Sequence, residues 1–488
     1  TRKIWIMTTQ QELLETRRVR AKRLSSILSS TTRLSSANIM SERFFRDASV
    51  DAQTPSKCLI IGSGAAGLVC ADSLRQFGTK YEIVMVTRDC HPPYDRPRLS
   101  KGIDLKINSI TLRSEDFFRK HKIEYNMNQE VEKIDFDTKK VTCTSGRIFD
   151  YDKLVIATGL VAVRPPKSVI GSDLRGIFTI RSIDDASSLS SYFKERVASS
   201  TESLNVIVVG GSFIAMECVS YFVNNKANVT VMSRNKPFSA AFGAKVSDKV
   251  MALHAKNGIK FHVDAKFDIV EYKDVRGRPG HLGMVKLADG SVVPADICVL
   301  AIGGMPATSF LVGSKLKLTP DNYVPVDEHM RTSLADVYAV GDIAHFPRSC
   351  LLGIDSTSGN NTVSIAHWGV ANGQGRSAAV SLVADLDERV ERASFKIVPY
   401  FWSINFGKAI RYAGHCTQFD ECVFHEDKTK ANEFKFAAFY VVANKVVAVA
   451  TLDWDPLCSV FAELLYNKIA VSKADIVEDA ANLRNLLK

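Results

Sequence analysis

A glycine turn between a buried strand and a helix constrains this chain more than any other feature. Cys58 to Ile61 is a short apolar run, and Gly62-Ser63-Gly64-Ala65-Ala66-Gly67 follows it directly. A helix-like stretch then reaches Gln76, and Glu82 to Val86 reads as the next strand. This β–turn–α–β order opens a doubly wound α/β fold. Gly62 permits the tight turn, Gly64 lets backbone approach a pyrophosphate, and Gly67 lets helix and strand pack. Ala65 and Ala66 complete the loop, whose helix N-terminus faces the phosphates. An acid normally receives the ribose about 20 residues further on. Here Arg88 stands in that place and Asp89 one step late, so either is a candidate.

A second unit begins at Val206 to Val209 and turns at Gly210-Gly211-Ser212-Phe213-Ile214-Ala215. Ser212 and Ala215 replace the second and third glycines. Its second strand, Val229 to Met232, runs into Ser233-Arg234 with no acid. A hydroxyl followed by arginine suits a 2′-phosphate better than a free 2′-hydroxyl, which favours NADPH over NADH. The alternative is a half that keeps the fold and binds nucleotide poorly.

At roughly 100–200 residues per domain, 488 residues suggest about three domains. Residues 1–57 carry eleven Lys/Arg against five Asp/Glu, six of the ten net positive charges. The rest is nearly neutral, so this is a basic Ser/Arg-rich arm on an ordinary body. The arm lacks interleaved aromatics, which makes it a poor specific reader of nucleic acid. No apolar run approaches the roughly 18–20 residues of a membrane span. The longest candidate, Phe439 to Thr451, is interrupted by Asn444 and Lys445 and reads as a strand pair. Ten scattered cysteines without a C-x-x-C point to a reducing compartment, mitochondrial or cytoplasmic. No metal-ligand set is expected.

Two more segments extend the pattern. Ile156-Ala157-Thr158-Gly159 follows a strand and precedes Arg164, and Val337 to Val340 is a strand ending in Gly341-Asp342. The series G-x-G-x-x-G, A-T-G, G-G-x-x-x-x-x-E, A-I-G-G-x-P (Ala301 to Pro306) and G-D resembles the FAD-dependent pyridine nucleotide reductase superfamily. Pro93-Tyr94-Asp95-Arg96-Pro97-Arg98-Leu99-Ser100-Lys101, Ala366-His367-Trp368 and Pro399-Tyr400-Phe401-Trp402 place the resemblance in its ferredoxin-reductase and apoptosis-inducing factor branch. Tyr412-Ala413-Gly414 and Phe406-Gly407-Lys408 most resemble apoptosis-inducing factor 3.

The resemblance implies FAD as cofactor and NAD(P)H as electron donor. Gly341 and Asp342 would hold the ribityl chain, with Thr158, Gly159, Arg164, Gly303 and Trp368 among the cofactor-binding set. Arg96 and Lys101 would lie near the isoalloxazine, and Lys101 would pair with Glu217 beside flavin N5. His367 and Trp402 would line the nicotinamide-facing side. Hydride would pass from nicotinamide to flavin, and electrons then to an iron–sulfur acceptor, Rieske or ferredoxin-like. A homodimer is a further expectation.

The same branch carries an N-terminal Rieske domain, which needs C-x-H and C-x-x-H. No C-x-H occurs, and the single C-x-x-H, Cys422 to His425, falls near the C-terminus. Arg2 to Arg23 resembles the strand and linker that follow such a domain, so the module is expected to be absent or truncated. A mitochondrial presequence is the rival reading, against which Glu12 and Glu15 count. A thiol reductase is disfavoured because no dithiol stands near Gly67. A redox-sensing, apoptosis-related factor with little turnover remains the alternative to an enzyme. The expected organisation is an arm (1–57), a discontinuous FAD-binding domain (58–180 and 300–390), an NAD(P)-binding domain (181–299) and a C-terminal α+β domain (391–488).

Overall fold

The computed structural model describes residues 55–263, 269–275, 278–353, 361–427 and 434–487. Of the arm expected at 1–57, residues 1–54 lie outside the described residues, and Lys57 already begins a strand.

Strand Lys57–Ile61 leads into the helix Ala65–Gln76 through Gly62. At φ +104° Gly62 sits where L side chains are strained, and an added Cβ would lie 2.3 Å from the Ala157 carbonyl oxygen. A Cβ on Gly67 would lie 2.0 Å from the Gly62 oxygen, so the helix can pack this closely only on glycine. The strand pairs in parallel with Glu82–Val86 on one side and Lys153–Ile156 on the other. Ile123–Asn126 and Val337–Ala339 complete a five-stranded parallel sheet. Leu59, Ile60, Val155 and Ala339 are buried, as central strands of a parallel sheet covered on both faces must be.

A second parallel sheet repeats the plan in the order Lys260–Val263, Asn228–Ser233, Asn205–Val209, Ile297–Leu300, Ile177–Thr179. Gly210 copies Gly62: φ is +123°, and a Cβ would lie 2.3 Å from the Ala301 oxygen. Strand Ile177–Thr179 pairs with Ile297–Leu300 in this second sheet, although it falls inside the range 58–180 expected for the first. Three residues are too short to announce their partner by sequence pattern.

The third sheet is antiparallel, in the order Tyr400–Asn405, Lys408–Gly414, Lys445–Leu452, Phe436–Val442, Glu421–Glu426. The pair read around Asn444 is a hairpin whose turn residues, Ala443 and Asn444, take positive φ. The first strand of this sheet starts at Tyr400, just after Pro399, and runs to Asn405. Pro399 offers no N–H to a ladder. Ile397 pairs instead with the Cys350–Leu352 segment, through Ile397 N–H to Cys350 O and Leu352 N–H to Ile397 O. Strand Glu421–Glu426 has mostly half-buried residues and no clean alternation, so no sequence signal marked it. Helix Leu457–Tyr466 covers the sheet with Leu457, Phe461 and Leu464 buried. Each such side chain contributes about 1.5–3 kcal/mol by leaving water.

Candidate functional site

The first glycine turn opens on a cavity of about 1310 Å³, larger than the roughly 300–1,000 Å³ of ordinary small-molecule sites. Gly62, Gly64, Ala65 and Ala66 form one wall. Nothing lies within 4 Å of where a Gly64 Cβ would sit, so that face is open to a ligand at the helix N-terminus. Gly67 is turned to the strand and does not line the cavity.

The opposite wall is polar. Gly341, at φ +78°, gives its N–H to Gln374 Oε1 at 2.7 Å. Asp342 is half-buried, and its desolvation pushes its carboxyl above the usual carboxylate range while Arg181 opposes the rise. Arg181 Nη2 lies 3.4 Å from Asp342 Oδ2, and its Nε donates to Leu160 O at 2.9 Å. The Thr158 hydroxyl and the Gln374 amide nitrogen are buried with no hydrogen-bond partner. Such groups are costly unless a polar ligand satisfies them. Gly159, Arg164 and Trp368 also line the cavity, with Arg164 Nη2 donating to Thr179 Oγ1 at 3.1 Å.

After the second strand, Arg88 and Asp89 both line the wall, but each is already engaged. Arg88 Nη1 lies 3.7 Å from Glu130 Oε1. Asp89 pairs with Arg96, which also donates to the Tyr94 hydroxyl at 2.8 Å and to Arg181 O at 3.0 Å. Glu130 belongs to the same wall. It lies in the loop before strand Val131–Asp135, where no motif pointed to an acid.

Lys101 and Glu217 meet. Lys101 Nζ lies 2.9 Å from Glu217 Oε1 and donates to Pro97 O at 2.9 Å. The Glu217 side chain is 3% exposed. Ser100 Oγ donates to its Oε2, and Ser403 Oγ to its Oε1 at 2.8 Å. Asn405 Nδ2 in turn donates to Ser403 Oγ at 3.2 Å. Helix Phe213–Asn224 supplies Glu217, and one turn earlier it places Ile214 in the wall of the large cavity. Ser403, from the antiparallel sheet, is the partner that sequence reading missed.

His367 is half-buried with its ring 4.5 Å from that of Phe401, and desolvation and His415 lower its imidazole to about 4. Its neighbours Ala366 and Trp368, not His367 itself, line the cavity. Trp402 stands outside the wall and is 49% exposed. Gly303, at φ +109°, likewise stands outside while Gly304 lines it. Of the second motif, Gly210, Gly211, Ser212, Ser233 and Arg234 all lie away from the large cavity. Ser212 caps helix Phe213–Asn224 by position without a side-chain cap bond. Ser233 is buried, its hydroxyl given to Asn235 O at 2.7 Å.

The sequence profile described as pyridine nucleotide-disulphide oxidoreductase matches residues 56–375, and a reductase C-terminal profile matches residues 400–487. The chain belongs to the pyridine nucleotide-disulphide oxidoreductase family. Relatives agree with that placement. Apoptosis-inducing factor 3 of Homo sapiens is 37% identical over 421 residues, 86% of this chain and 64% of that protein. The chain therefore spans less than two thirds of that relative's length. Rubredoxin-NAD(+) reductase of Pseudomonas putida is 32% identical over 290 residues, 59% of this chain and 71% of that protein. Among solved structures, a covalent putidaredoxin reductase–putidaredoxin complex superposes with TM-score 0.78 at 22% identity, covering 89% of this chain and 99% of that one. Fdr9 superposes at 0.72 with 29% identity, covering 86% of this chain and 97% of its own.

Pyridine nucleotide-disulphide oxidoreductases of the reductase type are FAD proteins, and the cavity fits that group. Its size, the open face at Gly64, the orphaned Thr158 hydroxyl and the Gly341-Asp342 corner are what an extended dinucleotide requires. The family name mentions a disulphide, but all ten cysteines here are free. Cys70, on the helix after the glycine turn, is buried and its thiol is pushed well up by burial. Cys422 and His425 lie on strand Glu421–Glu426 opposite Tyr440 and Ala437.

Proposed function

We propose that the chain is an FAD-dependent NAD(P)H oxidoreductase that passes electrons to an iron–sulfur acceptor. The observation that carries this reading is the Lys101–Glu217 ion pair. Bound FAD would supply a ring that accepts two electrons together and releases them singly. The chain's own task is to fix charge beside that ring. Glu217 and Pro97 O hold the Lys101 ammonium, and Ser100 and Ser403 hold Glu217. A cation locked in place needs no reorganisation when negative charge develops next to it. Arg96, tied to Asp89 and Tyr94 in the cavity wall, adds a second cation. The second glycine turn, Gly210 to Ala215, with Ser233 and Arg234, is assigned to the nicotinamide donor.

The partition into segments 58–180 with 300–390, 181–299 and 391–488 belongs to this proposal, and the three five-stranded sheets support it except at strand Ile177–Thr179, which pairs in the second. So does a reducing compartment, mitochondrial or cytoplasmic, which the ten free cysteines support. Among the described residues no helix is long and apolar enough to cross a membrane. The iron–sulfur acceptor draws support from the similarity to rubredoxin-NAD(+) reductase and to putidaredoxin reductase in complex with putidaredoxin.

Stopped-flow absorbance tests the reading. The purified protein should be yellow, and NADPH or NADH should bleach it at a rate that rises with nicotinamide concentration. A reduced [2Fe–2S] ferredoxin should then accumulate in the presence of catalytic amounts of protein. Absence of bound flavin, or flavin that neither nicotinamide reduces, would overturn the proposal. Slow bleaching with a change in solution mass would favour the redox-sensing alternative.

A further inference from the structure

A cysteine, a histidine and an aspartate converge at the rim of the large cavity, and the chemistry proposed above uses none of them. Cys90 and His91 follow strand Glu82–Val86, and Asp184 lies in the first turn of helix Ile183–Ser199. His91 Nε2 lies 2.9 Å from Asp184 Oδ1, and Cys90 Sγ lies 3.7 Å from Asp184 Oδ2. All three donor atoms lie within 4.8 Å of one another. Cys90 is exposed, whereas the other nine cysteines are buried or half-buried.

We infer that Cys90, His91 and Asp184 form a divalent-cation site of the zinc type. The argument is one of donor chemistry and spacing. Zinc takes sulfur at about 2.3 Å and nitrogen or carboxylate oxygen at about 2.0–2.2 Å, in a tetrahedron. The edges of that tetrahedron are roughly 3.4–3.6 Å long. The sulfur and the nitrogen stand 3.7 and 2.9 Å from the two different oxygens of Asp184, so binding requires that carboxylate to turn one oxygen to the ion, with shifts on the order of half an ångström. A soft thiolate beside an imidazole selects zinc over hard cations such as magnesium.

The scaffold is also set. A capping box fixes the helix start, Ser182 accepting from Asp185 N while Asp185 accepts from Ser182 N. On the other side, the Tyr125 hydroxyl donates to His91 O at 3.1 Å. Three protein ligands leave a fourth position to water, and the exposure of Cys90 and Asp184 gives an ion a path in. Because Cys90 and Asp184 both line the cavity wall, an ion here would clamp its rim. The inference does not depend on the proposed electron transfer.

The test is zinc titration of the chelator-treated full-length holoprotein, with bound metal counted by mass spectrometry. One equivalent per chain is expected, and the affinity should fall at least about tenfold in Cys90→Ser and in Asp184→Asn, by comparison with supporting residues of known zinc sites. In the unsubstituted protein, zinc but not magnesium should protect Cys90 from alkylation, mapped by peptide. That arm needs no variant to fold. No stoichiometric zinc, zinc affinity unchanged in Cys90→Ser, or alkylation of Cys90 indifferent to zinc would each overturn the site and leave a simple His91–Asp184 hydrogen bond.

Discussion

Glu217 is almost fully buried, yet its oxygens meet Lys101, Ser100 and Ser403, which satisfies polar atoms that would be costly to bury alone. Removing the charge in Glu217→Gln should slow flavin reduction at least about tenfold, since electrostatic groups of this kind contribute on the order of 10²–10³ in rate. Stopped-flow traces read the change directly. Ser403→Ala should cost about 1 kcal/mol of stability and slow reduction less than Glu217→Gln does. Equal losses in the two variants would mean that Ser403 does more than position Glu217.

His367 gives a pH-dependent counterpart. Burial and His415 hold its imidazole at about 4, against about 6.5 for an unperturbed histidine. The unfolded chain therefore takes up a proton near pH 6.5 that the folded chain refuses until about pH 4. Stability present above that window is lost as the pH falls through it, by up to about 3 kcal/mol from this residue. Denaturant unfolding of the protein and of His367→Gln at several pH values should show a shallower acid-side loss in the variant.

At the scale of elements, the glycine turns and helix starts decide where the walls of the site stand. Gly62 and Gly210 play the same part in the two parallel sheets, each pressed against the carbonyl of the residue that ends a neighbouring run, Ala157 and Ala301. Helix Trp368–Leu386 adds a third close approach. A Cβ on Gly375 would lie 2.2 Å from Ala66 O, so Gly375→Ala should push this helix off the first glycine loop and lower flavin content, read by absorbance per chain. The capping box of helix Ile183–Ser199 is a milder case. Ser182→Ala should destabilise by about 1 kcal/mol, seen as a shift in thermal midpoint without loss of bound flavin.

The whole molecule gathers one cluster from three sheets. Lys101 follows the first, Glu217 rides on a helix of the second, and Ser403 sits on a strand of the third. A ligand that fills the large cavity should steady the first sheet and the loops around it. Protein stripped of flavin should melt at a lower temperature, and added FAD should restore about 2.7 kcal/mol at a concentration 100 times its dissociation constant. A thermal midpoint indifferent to FAD would count against the cavity as its site.

What the sequence by itself determined is local or carried by family resemblance. Apolar runs, the Gly62 to Gly67 turn, its degenerate copy at Gly210 and the Asn444 hairpin follow from steric rules that act over a few residues. The Lys101–Glu217 pair was legible because both positions sit in motifs of a known branch. Tertiary structure decided the rest. It drew Asp89 onto Arg96, brought Glu130 to the rim, left Trp402 facing outward and set Ser403 against a carboxylate 186 positions away. It also brought Asp184 to Cys90 and His91 across more than 90 positions. A side chain's type is written in its codon, but its partner is set by which strands pair and which helices pack, and no local pattern records that choice.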